Sequence, residues 1–505
     1  MPTLTLRCFR DLTRRVYRTR NIYRYVHLPF CKRKCLYCDF PVVAVGKKAS
    51  YEGDVMMEGY VDALVQEIAM TPVWGSPRDD INEIYDFESS YQVVGDQERA
   101  PSALSSLSTI YFGGGTPSLI SIKALERILD ALRARFGAEA MQEITIEADP
   151  GTFDVSTLQA YADIGVTRVS VGVQAFDDTL LELCGRSHAL YDVYKAIDDM
   201  HASSIPSWSL DLISGLPGLD LDLWERNLLA AIDAGPKHIS SYDLQVEPNT
   251  PFGRMYRPGT RPLPSDEDAA TMYSMASQMF RGAGYHHYEL SSYALRETGR
   301  DHRCAHNGVY WDGGGYYAFG MGAASYVGGV RVVRPKTFRG YMGWVQRFQE
   351  LVELRREEKG KSRIVLPHME GVAATGEDML TDAVMLQLRK GEGLRLNERI
   401  VEQFEHGEVI AALIREAVEE HIERGLVEVI EEVIQEKEDG QNEQGGQRGR
   451  RSQDTEGGNI SERVANGERR RVSEVIVRLT DPHGFLMSND VISDIFLALD
   501  ELKYG

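Results

Sequence analysis

Six strand-like runs alternate with helical segments over the first half of this chain, and that alternation constrains the fold more than any other feature. The runs are residues 23–28, 109–112, 143–147, 168–174, 207–213 and 239–246, rich in Val, Ile, Ser, Thr and Tyr and mostly bounded by Gly, Pro or Asp. Helical patterns cover 58–70, 122–136, 191–200 and 221–234. The clearest carries Ile122, Leu125, Ile128, Leu129, Leu132 and Phe136 on one stripe. Such alternation implies a parallel sheet with right-handed crossovers. Six units predict an α/β fold, a partial, open (β/α)6 barrel shorter than the full form.

The chain divides further. Residues 1–24 form a basic arm in which Arg7, Arg10, Arg14, Arg15, Arg18, Arg20 and Arg24 face a single acid, Asp11. Arg-rich, acid-poor amino termini are typical of organelle transit peptides, which points to mitochondrion or plastid; an arm with no address, in the cytoplasm, is the alternative. The barrel is expected over 25–255, with 71–108 as an acidic, Ser-rich surface loop. Residues 256–375 read as a linker and extension, entered through Pro258, Pro262 and Pro264 and containing a Gly-rich strand region at 310–333. Residues 376–505 read as a smaller α+β, winged-helix-like unit, with helices at 377–388, 409–425 and 490–499 and strands at 426–434 and 474–479. Its polar stretch 435–471 buries too little to offset its ordering entropy and is expected to be disordered. The 505 residues and 43% hydrophobic content suffice for such a division. A net charge of -20 argues against a broad nucleic-acid surface. No apolar run is long enough for a membrane-spanning helix.

Three of the six cysteines, Cys31, Cys35 and Cys38, follow the first strand-like run with spacing C-x3-C-x2-C. Thiolates in this pattern suit iron–sulfur or zinc chemistry in a reducing compartment. A four-iron cluster normally takes four thiolates, so three leave one iron open to a small molecule bearing an amine and a carboxylate, as S-adenosylmethionine does. The competing reading is a structural zinc completed by a distant His or by Cys304. "YFGGGTPSLI", after the second run, carries Gly113, Gly114, Gly115 and Thr116, where backbone groups can approach a ligand closely. It is neither a dinucleotide fingerprint nor a Walker loop, and alone it reads as a tight turn. Glu147, Gln174, Asp211 and Gln245 fall within or late in the later runs, where parallel barrels build their sites.

Together these motifs resemble the radical S-adenosylmethionine superfamily, and more narrowly the branch of oxygen-independent coproporphyrinogen III oxidases and HemW-like haem chaperones. The resemblance rests on "YVHLPFCKRKCLYCDF", "FGGGTPS", "IEADP", "VGVQAF", "LCGRSH", "DLISGLPG" and "CAHNGVYW", spanning 25–326, plus the terminal "LTDPHGFLMSNDV". It implies a [4Fe-4S] cluster on Cys31, Cys35 and Cys38. It implies S-adenosylmethionine contacts from Tyr25, Gly114, Gly115, Thr116, Glu147, Gln174, Arg186 and Asp211. An electron from the cluster would then cleave the sulfonium to a 5′-deoxyadenosyl radical. The oxidases are expected to carry a further cysteine where this chain has Phe40, and a longer amino-terminal arm. Both departures favour the HemW-like branch over coproporphyrinogen oxidation, which stays as the alternative. That branch implies haem, haem-acceptor proteins and an electron donor as partners, in a monomer or dimer. "CAHNGVYW" matches its H-N-x-x-Y-W pattern. His306 is the candidate haem ligand, with Asn307, Tyr310 and Trp311 beside it and Cys304 or His302 as second candidates. The alternative has His306 hydrogen-bonding within the fold. "HHYE" at 286–289 reads as a strand start.

Overall fold

The computed structural model describes residues 22–48, 51–73, 107–137, 141–327, 329–357, 372–434 and 472–504. Most of the basic arm, residues 74–106 of the acidic loop and the whole polar stretch 435–471 lie outside the described residues.

The six expected strands are present as β1 (Ile22–Leu28), β2 (Leu107–Gly114), β3 (Glu143–Ala148), β4 (Arg168–Gln174), β5 (Ser207–Ser214) and β6 (His238–Asp243). They pair in parallel and in chain order. Tyr25 lies opposite Tyr111, Phe112 opposite Ile146, Glu147 opposite Ser170, Gly172 opposite Asp211, and Asp211 opposite Ser240. Helices cover the outer face, so strands such as β4 and β5 are buried along nearly their whole length. Residues beyond 256 extend this same sheet at both edges. The hairpin β7 (Tyr285–Glu289) and β8 (Ser292–Glu297) runs antiparallel beside β6. At the other edge β9 (Tyr316–Phe319) runs parallel to β1 and continues into the antiparallel pair β10 (Ala324–Val327) and β11 (Val330–Val333). Among the described residues the two edges do not pair with each other, so the barrel is open.

The crossover helices are α1 (Val55–Met70), α2 (Ile122–Phe136), α3 (Val155–Asp163), α4 (Asp178–Leu183), α5 (Leu190–Ala202) and α6 (Leu221–Asp233). Five of them start on a side-chain cap: Asp54, Ser121, Asp154, Asp177 and Asp220 accept from first-turn amides. Periodicity missed α3 and α4, which are too short to write a stripe. The region read as a Gly-rich strand from 310 begins instead inside a helix. After α7 (Pro251–Met255) and α8 (Asp266–Gly282) comes α9 (Ala305–Trp311), and strand resumes only at Tyr316, past Gly313, Gly314 and Gly315.

Following α10 (Phe338–Glu357), the carboxyl-terminal unit is α+β. It packs α11 (Gly376–Leu388), α12 (Gly407–Ala417) and α13 (Ser488–Tyr504) on an antiparallel sheet of β12 (Leu394–Arg395), β13 (Val427–Ile434) and β14 (Val472–Leu479). Val384, Ile414, Val477 and Ile495 centre its own core. The helix expected over 409–425 breaks at Val418. The unit docks on the β7–β8 hairpin and α9 through Gly391 N to Tyr288 O (2.9 Å), Gln387 to Trp311 O (2.6 Å) and Lys390 to Asp312 (2.6 Å).

One buried cluster fixes the carboxyl ends of β1 and β9. Glu67, on α1, is fully buried and accepts from Arg334 Nε (2.8 Å), Tyr341 Oη (2.7 Å) and Gly320 N (2.9 Å). Tyr60, two turns earlier on the same face of α1, donates to His27 O and accepts from Met321 N. Removing one partner of such a pair leaves the other charge buried and unpaired. Arg334→Met should therefore lower the unfolding free energy by about 3–5 kcal/mol, read by chemical denaturation. Glu67→Met/Arg334→Met together should cost less than Arg334→Met alone; an equal or larger loss would show that packing, not charge, dominates.

Candidate functional site

The three cysteines lie just past β1, at the carboxyl ends of the strands, in a loop held from three directions. The backbone of Cys31 and Phe30 pairs with Val43–Ala44, Leu36 N donates to Cys184 O (2.9 Å), and Phe252 N donates to Leu36 O (3.0 Å). All three thiols are half-buried. Burial pushes the Cys31 thiol up to about 12, against a hydrogen bond from Thr116, and raises Cys38. Binding a metal through Cys31 and Cys38 would therefore release protons. Among the described residues no three His, Cys, Asp or Glu side chains converge on a single metal ion. Cys304, the distant zinc candidate, lies against Glu143, the first residue of β3, and so at the opposite ends of the strands from Cys31.

The glycine loop lies directly against the cysteine loop. Gly115 N donates to Leu28 O (2.9 Å) and Thr116 N to Phe30 O (2.7 Å). A Cβ at Gly115 would sit 2.6 Å from Pro29 C, and one at Gly114, whose φ is +109°, would sit 2.4 Å from the His27 ring. Only glycine allows this approach. Gly114 N donates to Glu147 Oε2 (3.0 Å), and Tyr111 Oη donates to Glu147 Oε1 (2.9 Å). Tyr25 stacks on Tyr111 and its hydroxyl meets His27 Nδ1 at 3.1 Å, while His27 Nε2 reaches Pro41 O at 3.0 Å. Burial pushes the Glu147 carboxyl up to about 7, with Tyr111 opposing and Asp211 adding to the rise.

Arg186 joins the remaining parts. Its Nη2 donates to Asp149 Oδ1 (2.6 Å) and Gly172 O (2.7 Å), and its Nη1 to Tyr37 Oη (3.1 Å) and Cys35 Sγ (3.5 Å). Gln174 ends β4 with φ +71°, where the pairing with β5 shifts register, and its amide lies beside Arg186 over Gly172. Asp211 Oδ2 accepts from Ser170 Oγ (2.9 Å), which accepts from Ser209 Oγ (2.8 Å). Burial raises the Asp211 carboxyl, and the hydroxyls of Ser240 and Ser170 offset part of that. Asp211 Oδ1 and Arg186 Nε are buried without a hydrogen-bond partner among the described residues. Two unpartnered polar atoms, an acceptor and a donor, fit a polar ligand such as S-adenosylmethionine, and three half-buried thiols in one loop fit a cluster with one open iron.

The predicted S-adenosylmethionine residues Tyr25, Gly114, Gly115, Thr116, Glu147, Gln174, Arg186 and Asp211 thus gather on one face with Cys31, Cys35 and Cys38. Gln245 instead lies exposed past the end of β6. Sequence reading passed over His27, Tyr37, Tyr111, Asp149 and Ser170. Strand alternation was the available signal: Tyr25 and His27 share one face of β1, and Ser170 and Gly172 one face of β4.

The haem candidates lie elsewhere. Glu143 accepts from Ala305 N (3.2 Å) and His306 N (3.1 Å), anchoring α9 beneath the amino ends of the strands. His306 is 1% exposed. Its Nδ1 meets Thr109 Oγ1 at 2.7 Å and its Nε2 meets Tyr310 Oη at 2.9 Å. Both nitrogens are engaged, the arrangement of the hydrogen-bonding alternative, and burial keeps the ring neutral, lowering it to about 3. His302 is buried against Ser207 and Glu297, and Cys304 against Glu143. Tyr310 packs edge-on to Tyr316, Trp311 borders clefts at the seam with the carboxyl-terminal unit, and Asn307 is half-buried beside Cys304.

A carboxyl raised by burial stabilises the fold when neutral. The stability tied to Glu147 is full below its ordinary 4.5, falls as pH rises toward 7 and is gone above that. In ligand-free protein, Glu147→Gln should flatten that decline in thermal midpoint between pH 5 and 8. Parallel profiles for the two proteins would contradict the assignment.

Residues 25–228 match the family described as the Radical SAM superfamily. The chain is 42% identical over 323 residues to the heme chaperone HemW of Synechocystis sp., covering 64% of this chain and 70% of that protein. It is 30% identical over 411 residues to the heme chaperone HemW of Bacillus subtilis, covering 81% and 93%. Among solved structures, the coproporphyrinogen III oxidase HemN of Escherichia coli superposes with a TM-score of 0.62 over 96% of this chain and 92% of that one, at 18% identity, which shows a shared fold. With its cysteine loop, glycine cradle and open barrel in one place, the chain belongs to the HemW family of radical S-adenosylmethionine proteins.

Proposed function

We propose that this chain is a haem chaperone that carries a [4Fe-4S] cluster on Cys31, Cys35 and Cys38, binds S-adenosylmethionine at the barrel mouth and delivers haem to acceptor proteins. The observation that carries the reading is the three-thiol loop closed on the glycine cradle, with Arg186 touching Cys35. The names of its HemW relatives support the haem part. When bound, the cluster supplies one electron to the sulfonium. The chain's own groups position and shelter that chemistry. Glu147 and Asp211 offer acceptors to the ammonium or ribose hydroxyls, Arg186 Nε offers a donor to a carboxylate, and the glycines allow close backbone approach. Phe40 stands where coproporphyrinogen oxidases are expected to have a fourth cysteine, and it is 55% exposed.

Anaerobic reconstitution should give about four iron and four sulfide per chain, and S-adenosylmethionine should perturb the cluster's spectrum. Haem titration should give a Soret band that His306→Ala keeps, because that ring already spends both nitrogens. No protoporphyrinogen should form from coproporphyrinogen III with reductant. One zinc and no sulfide would sink the cluster assignment; product formation would replace the chaperone with the oxidase.

The Arg-rich residues 1–24 are proposed as an address to a mitochondrion or plastid, a reading supported by a relative in Bos taurus named as mitochondrial, 29% identical over 59% of each chain. Fused to a fluorescent protein, residues 1–24 should direct it to one of these organelles; diffuse cytoplasmic signal would leave the arm without that role.

A further inference from the structure

Five rings follow one another from the barrel mouth to the outside. Tyr25, on β1, stacks on Tyr111 of β2 with ring centres 6.2 Å apart. Tyr111 lies 5.2 Å from His306 on α9, and His306 lies 5.2 Å from Tyr310. Tyr310 lies 4.7 Å from Tyr316, the first residue of β9. Tyr316 is half-buried, and its hydroxyl accepts from the exposed Arg331 at 3.5 Å. The series starts on the ligand-binding face and ends at solvent.

Packing alone does not require the hydroxyls. A phenol gives up an electron readily at neutral pH only where its proton has a base to go to, and each inner phenol is set on one. Tyr25 Oη meets His27 Nδ1 at 3.1 Å, while His27 Nε2 faces Pro41 O at 3.0 Å. A carbonyl only accepts, so Nε2 carries the ring proton and Nδ1 is free to accept from Tyr25. Tyr111 donates to Glu147 (2.9 Å), and Tyr310 Oη meets His306 Nε2 at 2.9 Å. Burial raises all three phenols and lowers both imidazoles, so the phenols keep their protons and the imidazoles stay neutral. Tyr37, in the cysteine loop, is the contrast: its hydroxyl accepts from Arg186 (3.1 Å), a cation that opposes the loss of an electron.

Resting on the S-adenosylmethionine reading above, we propose that Tyr25, Tyr111, His306, Tyr310 and Tyr316 form a conducting chain that drains a stray primary carbon radical from the mouth to the surface. Tyr25 gives up a hydrogen atom: its O–H bond breaks as a C–H bond forms, and Tyr25 is left a phenoxyl. Tyr111 then passes an electron to Tyr25 across the stacked rings and its own proton to Glu147, while water at the mouth returns a proton to Tyr25. Tyr310 refills Tyr111 by one electron across the His306 ring and lends its proton to His306, and Tyr111 takes its proton back from Glu147. Tyr316 refills Tyr310, which recovers its proton from His306, and Tyr316 releases its own proton to water. The net change is one new C–H bond and one phenoxyl at Tyr316, which a soluble reductant such as ascorbate restores with one hydrogen atom.

The test uses the full chain in two states. In the first, cofactor-free protein with Cys8→Ser carries a ruthenium polypyridyl on the half-buried thiols of the cysteine loop, Cys184 and Cys304 being buried. A flash with a cobalt(III) quencher then oxidises the mouth. In the second, cluster-loaded protein receives S-adenosylmethionine and photoreduced deazaflavin. A nitroso spin trap, mapped by peptide mass spectrometry, should mark Tyr316 in both. Tyr310→Phe keeps the ring but not its proton transfer. It should lower the Tyr316 adduct about tenfold or more per oxidising event, counted as ruthenium(III) in the first state and 5′-deoxyadenosine in the second. Tyr316→Phe removes only the exit: with ring-deuterated tyrosine, its tyrosine-derived EPR signal after the flash should outlast the wild-type signal in ascorbate. Undiminished Tyr316 adducts in Tyr310→Phe would overturn the proposal. So would wild-type adducts confined to the exposed Tyr191 and Tyr194, the mark of surface oxidation. Tyr316 adducts after the flash but none in the loaded state would support the chain and count against the reading it rests on.

Discussion

Two main-chain hydrogen bonds, from Gly115 to Leu28 and from Thr116 to Phe30, determine where everything at the barrel mouth can be. They join the loop after β2 to the start of the cysteine loop, so the cradle and the thiols move as one piece. The contact exists because Gly115 has no Cβ. A methyl there would meet the backbone of Leu28, Pro29 and Phe30, and backbone cannot swing aside as a long side chain can. The chemistry of the thiols therefore depends on a residue that contributes no functional group.

Arg186 does for the far side of the mouth what those bonds do for the near side. It comes from the loop before α5, yet it touches Asp149 beyond β3, Gly172 on β4, and Tyr37 and Cys35 in the cysteine loop. A buried guanidinium is costly to desolvate unless its donors are met, and here four acceptors meet them. The one donor left over, Nε, is buried without a partner among the described residues. Neutralising Asp149 would do more than remove an ion pair, since Arg186 would be free to turn toward the thiols.

Much of this was legible in the sequence because strand alternation and cysteine spacing are local signals. The six parallel strands came out in order, the boundaries of α2 fell where its stripe predicted, and the polar residues near strand ends, Gln245 apart, converged. Less legible was anything set by tertiary contact. Helices α3 and α4 are too short to write a period, and a helix at 305–311 was hidden by the glycines that follow it. Asp149 stood in a quoted motif, but only its partner Arg186, distant in sequence, gives it a role. The surroundings of His306 were hidden for the same reason: its residue type invites iron, while Thr109 and Tyr310, which occupy its nitrogens, are not readable as its neighbours.

The position of the H-N-x-x-Y-W helix changes what that motif explains. It forms the barrel floor, anchored by Glu143 at one end and gripped at the other by Gln387 through the Trp311 carbonyl. Above it the His306 ring lies 5.2 Å from that of Tyr111, whose hydroxyl holds Glu147 at the mouth. A substitution of His306 therefore reaches the ligand-binding face through Tyr111 rather than by contact. Lost ligand affinity in such a variant, taken alone, cannot identify His306 as a ligand. The same chain of contacts runs from the carboxyl-terminal unit to Glu147, so how that unit seats on α9 bears on the geometry of the mouth without its touching anything there.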